Sequence, residues 1–275
     1  MIKKIVLFTL FLFNVQVNAQ NQISIQYEYA HNLMKTRQYF DAITEFKRTL
    51  FFDIDKQYSY SANYSIGECY KAGAMLDNAI QYFSIAQYNA RTDDEKISAQ
   101  LEIIKTNILR RTTERAHQIL NEIEKISSIN KDSVNYWRGW AFIFNDEWKE
   151  AANSFAKINP NHELKKLAEQ VDMDKVSVTF AKVISYILPG SGQIYSGSIL
   201  PGLISLGWNL LSGYWTVSAF NESRVFDGSV LLGLIWLRFY RGNIQNAGDF
   251  AVQKNNEISN KALRYLQHEY KGNRP

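Results

Sequence analysis

The residues of this chain that could carry out chemistry are few and lie far apart in the sequence. The four histidines, His31, His117, His162 and His268, show no metal-ligand spacing. Cys69 is the only cysteine and has no histidine nearby in sequence, which favours a buried small side chain over a nucleophile. The sequence has no phosphate-binding loop and no nucleophile elbow. It therefore predicts a protein that is not an enzyme and that binds no metal and no cofactor.

A more distinctive set of residues accompanies apolar sequence in the last third of the chain. These residues form a Pro-Gly-x-Gly-Gln-x-Tyr motif, which consists of Pro189, Gly190, Gly192, Gln193 and Tyr195. Proline and glycine break a helix, so the motif predicts a tight turn at a membrane surface, with the Gln193 amide satisfying freed backbone groups. Further along, Asn209, Arg238 and Arg241 are polar side chains within or beside apolar sequence, where such residues are commonly functional.

Two apolar runs follow the motif. The first, 199–220, has 22 residues without a charge, a length that matches a transmembrane helix. The second, 228–237, has only about ten residues before Arg238 and is short for a span. The flanking charges oppose the positive-inside tendency, so either the second run does not span or the hairpin dips into the membrane from the outer side. The alternative is a pair of apolar helices buried in a compact soluble domain.

This block resembles an uncharacterised family of small membrane domains related to the two-transmembrane-segment domains. The resemblance covers about residues 175–256 and rests on the motif above and on Tyr-Arg-Gly-Asn-Ile-Gln-Asn-Ala at 240–247. It implies a membrane domain without an established activity, which in similar proteins is often exported and sometimes follows N-terminal repeats. Membrane lipid is therefore one expected partner.

The first half of the chain is repetitive. Alanine is followed four residues later by a large apolar residue in four places, Ala42/Phe46, Ala79/Phe83, Ala116/Leu120 and Ala151/Phe155, at spacings of 37, 37 and 35 residues. Gly67 and Gly139 lie twelve residues before the second and fourth of these alanines. The pattern over about 22–171 resembles the tetratricopeptide repeat, which implies stacked helical hairpins. The third unit departs from it, with Ile104 and Asn107 where glycine and tyrosine would lie, and an irregular helical bundle is the alternative.

A repeat array of this kind has a concave surface formed by the first helix of each hairpin. In the first two units this surface would carry Tyr27, His31, Tyr64, Glu68 and Lys71. We expect it to bind a protein or peptide partner through aromatic contacts, although the tyrosines could equally pack against their neighbours. The Lys and Asn positions of the family's carboxylate clamp are here occupied by tyrosine, histidine and glutamate, so that clamp is not predicted.

The start of the chain predicts export. Residues 1–19 have a basic start at Lys3 and Lys4, an apolar centre and a small-residue cleavage site, which is typical of a signal peptide; an uncleaved N-terminal anchor is the alternative. Without the two lysines the formal charge falls from +4 to about +2, too weak to predict a nucleic-acid partner. The predicted organisation is a signal peptide (1–19), a repeat domain (20–173), a hydrophobic membrane-associated domain (174–248) and a polar helical tail (249–275).

The sequence thus predicts an all-α protein, a tetratricopeptide-like solenoid followed by a hydrophobic helical hairpin. We expect it to be exported and attached to a membrane, with the repeats in the periplasm acting as an interaction scaffold or recruiter in the cell envelope. The alternative is a membrane transport or insertion component in which the hydrophobic hairpin is the active part and the repeats regulate it.

Overall fold

The computed structural model describes residues 22–126 and 129–275, and within these ranges every regular element is helical. The predicted all-α class is therefore confirmed. The predicted signal peptide, 1–19, lies outside the described residues. The helices are α1 (residues 22–35), α2 (Tyr39–Phe52), α3 (Ser59–Ala72), α4 (Leu76–Tyr88), α5 (Asp93–Leu109), α6 (Thr113–Ile123), α7 (Lys131–Phe144), α8 (Trp148–Ala156), α9 (Glu163–Asp174), α10 (Val178–Ile187), α11 (Ser191–Tyr195), α12 (Ile199–Asn221), α13 (Val225–Val230), a π-helical segment (Leu231–Trp236) and α14 (Leu237–His268).

The chain divides into two units. Unit 1 contains the described residues up to Lys165 together with Asn273–Pro275, and unit 2 is Lys166–Gly272. The division falls within α9, eight residues before the predicted boundary at 173. The residues predicted as a separate polar tail, 249–275, largely continue α14, which is helical from Leu237 to His268.

The first eight helices form four helical hairpins with one repeated turn. Each turn has a residue in the left-handed region, Arg37, Ala74, Arg111 and Asp146, at φ values of 63°, 58°, 60° and 66°. In each turn the next residue donates its N–H to the carbonyl five residues earlier, at 2.9 Å. This is the Schellman motif, which satisfies the last carbonyls of a helix. The third hairpin has the same turn as the others, although its sequence departs from the repeat pattern.

The core of unit 1 includes the residues that define the repeat pattern. The alanines and large apolar residues of all four pairs are fully buried. A Cβ atom added to Gly67 would lie 2.7 Å from the Phe83 ring, and one added to Gly139 would lie 2.5 Å from the Phe155 ring. Each glycine therefore makes room for the phenylalanine of the second helix in its own hairpin.

In the third hairpin an amide occupies the place of the repeat tyrosine and is also buried. Asn107 is 2% exposed, and its Nδ2 donates to the Ile103 carbonyl at 2.8 Å. Its Oδ1 accepts the Thr112 hydroxyl at 2.8 Å. The side chain thus links its own helix to the start of the following one, in addition to the backbone hydrogen bond of the common turn.

Unit 2 has the opposite distribution of residue types. From Val178 to Ser259 no leucine, isoleucine, valine or aromatic side chain is buried. The buried positions hold alanine, serine, threonine, asparagine, glutamine and glycine. Unit 2 contains 26 of the 34 exposed large apolar side chains among the described residues. From Val178 to Ser259 the interior therefore consists of small and polar residues, and much of the surface is apolar; the larger buried apolar side chains of unit 2, Val171, Leu266 and Tyr270, lie outside this stretch.

The first apolar run forms a single helix. α12 extends from Ile199 to Asn221 and packs against α13, the π-helical segment and α14. Within 22–126 and 129–275, however, no helix is both long enough and apolar enough to cross a membrane. The predicted transmembrane helix is therefore not supported, since glycine, serine, asparagine and the aromatic hydroxyl and indole groups lower the hydropathy of α12.

Candidate functional site

The predicted concave surface lies on α1, α3, α5 and α7, the first helices of the four hairpins; we call it the first-helix surface. The repeat places equivalent side chains in register along it. His31, Glu68 and Lys105 are separated by 37 residues each and therefore occupy one position of the repeat. The alternation of residue types at this position gives the surface both signs of charge.

The aromatic part of the surface is packed against the hairpin core. The Tyr27 ring lies 4.7 Å from the Tyr58 ring and 5.6 Å from the Phe46 ring, measured between ring centroids. The His31 ring meets Tyr27 edge-on at 6.1 Å, and its buried Nδ1 has no hydrogen-bond partner among the described residues. Tyr64 meets Phe83 edge-on at 5.4 Å. These tyrosines therefore pack against neighbours and also form part of the surface.

Ion pairs and one cation–π contact link side chains of α3, α5 and α7. Lys71 Nζ lies 3.0 Å from a carboxylate oxygen of Glu102, and Lys105 pairs with the other oxygen of the same carboxylate. Lys105 Nζ also lies 4.8 Å from the centre of the Trp137 ring, within the range of a cation–π contact. Because Glu102 is largely shielded from solvent, these contacts join three helices more firmly than an exposed ion pair would.

The two glutamates of this surface differ in their ionisation. Burial and the nearby Glu102 raise the pKa of Glu68, and the opposing effects of Lys71, His31 and Lys105 are smaller. Burial also acts to raise the pKa of Glu102, but Lys71 and Lys105 outweigh it and lower that pKa overall. Burial raises the pKa of Tyr60 to about 12, so its hydroxyl stays a hydrogen-bond donor. The surface therefore offers a fixed ion-pair cluster beside a carboxyl group that ionises less readily.

Of the five predicted surface residues, two lie on α1 and three on α3, and their binding of a partner stays a prediction. Glu102, Lys105 and Trp137 belong to the same network and were not among the predicted residues. The repeat period was the signal that could have found them. Lys105 lies 37 residues after Glu68, and Trp137 lies 35 residues after Glu102.

The histidine, cysteine and acidic side chains of the described residues do not come together in a metal-binding cluster. No cluster of three histidine, cysteine or acidic side chains suited to a metal occurs in 22–126 or 129–275. Cys69 is 1% exposed, and burial raises its pKa to about 12, which keeps it a neutral thiol. It packs among the apolar residues of α1 to α3, as its sequence position predicts.

The Pro-Gly-x-Gly-Gln-x-Tyr motif of unit 2 forms a buried hydrogen-bond hub around Asn243. The Oδ1 atom of Asn243 accepts the Gly190 N–H at 2.7 Å, the Ser205 hydroxyl at 2.8 Å and the Gln193 amide at 3.1 Å. Its Nδ2 donates to the Ser185 carbonyl at 3.1 Å. One side chain on α14 thus holds the motif, α10 and α12 together.

The hub assigns the motif residues different roles from those predicted. Two backbone N–H groups at the turn have no partner within a helix. The Gly190 N–H donates to Asn243 Oδ1, and the Gly192 N–H donates to the Ser185 hydroxyl at 2.9 Å. Gln193 instead donates to the carbonyl of Asn243, and its own Oε1 is buried without a partner among the described residues. The prediction that Gln193 satisfies the freed backbone groups of the turn is therefore wrong.

The glycines of the motif allow helices to touch through their backbones. Gly190 has a φ of 91°, and a Cβ atom there would lie 2.1 Å from the Gly202 carbonyl oxygen. A Cβ at Gly192 would lie 2.1 Å from the Ala181 carbonyl oxygen. Pro189 precedes Gly190 at the end of α10, where helical geometry stops. No larger residue fits at either glycine.

The remaining motif residues lie nearer the surface. The Tyr195 hydroxyl accepts the Ser177 N–H at 3.2 Å, and its ring meets Phe180 edge-on. Arg238 and Arg241 are exposed on α14. Of these two, Arg238 lies beside Asn209 in a groove between α12 and α14.

Comparison with known proteins gives no relative for this chain. It matches no protein-family model, no curated protein and no solved structure.

Proposed function

We propose that the protein is an exported, membrane-attached repeat protein whose unit 1 binds a protein or peptide partner in the cell envelope. The observation that carries the proposal is the inverted residue distribution of unit 2. In lipid, helices associate through small residues and hydrogen bonds, and large apolar side chains face outward. The interior of unit 2 has this composition, whereas unit 1 has the apolar core of a protein that folds in water.

The form of attachment that fits the structure is burial of the apolar surface of unit 2 in one side of a membrane. α12 supplies much of this surface through side chains such as Leu203, Leu210 and Tyr214, which are 52–69% exposed. Trp208 and Trp215 on the same helix suit the boundary between water and lipid. Among the described residues, unit 2 has 26 exposed large apolar side chains and unit 1 has 8, and a concentration of exposed apolar residues is typical of a surface that contacts a membrane or another protein.

The binding role is supported by the first-helix surface. It combines half-buried aromatic rings with the ion-pair cluster of Lys71, Glu102 and Lys105. A partner segment with both apolar and charged side chains would match it. The likeness of unit 1 to tetratricopeptide arrays, and of unit 2 to the family of small membrane domains, is part of this proposal and rests on the repeat spacing and on the motif.

Attachment is tested by flotation of the full chain with lipid vesicles. We expect the unchanged chain to float, and replacement of Leu203, Leu210 and Tyr214 by glutamine to leave it at the bottom of the gradient. The matched control replaces Phe40, Phe51 and Tyr88, which are 71–89% exposed in unit 1, by glutamine. If the unit 1 variant is released as fully as the unit 2 variant, unit 2 is not the attachment.

Partner binding is tested by placing a photo-crosslinking amino acid in the full chain. A probe at Lys71, on the first-helix surface, should capture a defined envelope protein, whereas a probe at Ser84, exposed on α4, should not. Capture of the same protein from both positions, or from neither, would contradict a partner site on the first helices.

A second candidate function, a transport or insertion component in which unit 2 is active, is favoured by one observation. Asn209 and Arg238, two of the three polar residues predicted to be functional within or beside the apolar sequence, line the same groove. If Asn209→Leu abolished the protein's cellular effect while crosslinking at Lys71 captured nothing, this candidate would replace the first.

A further inference from the structure

Unit 2 contains a groove between two of its helices. α12 and α14 enclose a volume of about 560 Å³, within the range of ligand sites in proteins. Trp208 and Asn209 line it from α12, and Arg238, Phe239 and Gly242 line it from α14. All of these residues belong to unit 2.

The groove has an unsatisfied acceptor and a cation. Asn209 is 5% exposed; its Nδ2 donates to the Ser205 carbonyl at 2.8 Å, but its buried Oδ1 has no donor within the described ranges. Such a buried acceptor calls for a hydrogen-bond donor. Arg238 is exposed and lines the same groove, and no ion pair found among the described residues involves it. A ligand that completes both groups carries a donor and a negative charge.

The walls of the groove are apolar. The Trp208 and Phe239 rings stack with centroids 5.4 Å apart and planes inclined by 13°. Ile204, also on the wall, is 53% exposed and belongs to the outward apolar surface of α12. The groove is thus continuous with the surface through which unit 2 is proposed to enter a membrane. A soluble anion would leave these walls uncovered, whereas a lipid would cover them.

We propose that this groove binds one anionic glycerophospholipid with a hydroxyl-bearing headgroup. Its phosphate pairs with Arg238, its headgroup hydroxyl donates to Asn209 Oδ1, and an acyl chain lies along Trp208 and Phe239. The proposal rests on the proposed membrane attachment of unit 2. It adds a specific lipid site to what would otherwise be a general apolar contact.

The groove can be filled without disturbing its walls. A Cβ atom at Gly242 meets no heavy atom within 4 Å, so Gly242→Leu places its side chain in open space at the groove. The matched control is Gly207→Leu on α12, where a Cβ atom also meets nothing within 4 Å but which does not line the groove. Both changes replace glycine by a good helix former within a helix, which favours folding. Helical content by circular dichroism verifies that both variants fold.

The test uses the full chain reconstituted in vesicles of equal phosphatidylglycerol and phosphatidylcholine, then extracted in mild detergent. Native mass spectrometry counts the retained lipids. We expect one phosphatidylglycerol per chain for the unchanged protein and for Gly207→Leu, and at least about a tenfold loss for Gly242→Leu. The Asn209→Leu and Arg238→Gln variants should retain phosphatidylglycerol and phosphatidylcholine in equal amounts, because each variant lacks a group that recognises the headgroup.

Two results would overturn the site. One is equal phosphatidylglycerol retention by Gly242→Leu and Gly207→Leu, and the other is equal retention of both lipids by the unchanged chain. Displacement of the lipid by glycerol phosphate would show a soluble anion site instead. Flotation of the same preparations separates this proposal from the attachment on which it rests. If Gly242→Leu floats and still retains phosphatidylglycerol, only the lipid site fails; if the unchanged chain does not float, the attachment fails as well.

Discussion

Units 1 and 2 are both helical in their described residues, and both contain glycines at close contacts, but these glycines contact side-chain rings in unit 1 and backbone atoms in unit 2. In unit 1, Gly67 and Gly139 make room for buried phenylalanine rings, so small residues serve an apolar core. In unit 2, Gly190 and Gly192 let backbones meet, and the interior is held by hydrogen bonds to Asn243. Glycine therefore supports an apolar core in unit 1 and a hydrogen-bonded interior in unit 2, where many large apolar side chains are on the surface.

The strongest test of this contrast removes the centre of the hub. Asn243→Leu leaves the Gly190 N–H, the Ser205 hydroxyl and the Gln193 amide without their shared acceptor. Each buried group left unsatisfied costs about 1–3 kcal/mol. The Gln193 amide keeps the main-chain carbonyl of residue 243, so loss of the acceptor for the Gly190 N–H and the Ser205 hydroxyl should cost unit 2 on the order of 2–6 kcal/mol. Hydrogen exchange of the full chain in lipid should show faster exchange in α10 to α12 and little change in α1 to α8.

The matched control for that experiment is Asn246→Leu, one turn further along α14, where the side chain is exposed. It should leave the exchange of α10 to α12 near that of the unchanged chain. If both leucine variants loosened these helices equally, the hub would not be the element that holds unit 2 together.

A smaller effect distinguishes the two uses of glycine. Gly139→Ala forces a methyl group to within 2.5 Å of the buried Phe155 ring, and overpacking of this kind costs about 1–3 kcal/mol. Gly207→Ala in α12 meets nothing within 4 Å and should stabilise its helix by up to about 1 kcal/mol. Denaturant unfolding followed in each unit by hydrogen exchange gives both values. A stabilising Gly139→Ala would mean that the close packing of glycine against phenylalanine does not hold unit 1 together.

The smallest effect concerns the charges of unit 1 and depends on pH. The lowered pKa of Glu102 stabilises unit 1 above the ordinary carboxyl range, and this contribution is lost as the pH falls through the folded-state pKa. The raised pKa of Glu68 has the opposite sign, because its ionisation opposes folding as the pH rises. We therefore expect Glu102→Gln to destabilise and Glu68→Gln to stabilise α3 and α5 at neutral pH.

Both differences should shrink when the same exchange measurement is repeated in acid, where the carboxyl groups are protonated in the folded and unfolded states. Glu45→Gln, on α2 outside this cluster, serves as the control for loss of one carboxylate. Equal shifts for Glu68→Gln and Glu102→Gln would show that the network does not distinguish the two groups.

How much the sequence could predict differs between the units for a physical reason. In unit 1 the informative contacts are local and periodic, so Ala79 and Phe83 already indicated the buried face of α4. The sequence of the third hairpin departs from the repeat at Ile104 and Asn107, but the turn it shares with the others is made by a backbone hydrogen bond that does not depend on those side chains. Lys105 was missed although it lies at the repeat position of Glu68.

In unit 2 the decisive contacts join residues about 40 to 60 positions apart. Asn243 lies 53 residues after Gly190, and nothing in the sequence around either residue pairs them. The length of the apolar run favoured a transmembrane helix, but length alone does not show which side chains point inward. The burial of Asn209 and Thr216, with leucines of α12 outside, became visible only from the packing.

The inverted interior of unit 2 also has a consequence for the order of folding. A hydrogen bond contributes little to folding in water, because the unfolded chain bonds to water instead, and it contributes more where water is excluded. The hydrogen bonds of the hub around Asn243 therefore contribute little to the folding of unit 2 while its surface is in contact with water. Unit 1 buries Phe46, Phe83 and Phe155 and gains stability in water at once. On the membrane attachment proposed above, we therefore expect unit 1 to fold first and unit 2 to complete its folding in contact with lipid.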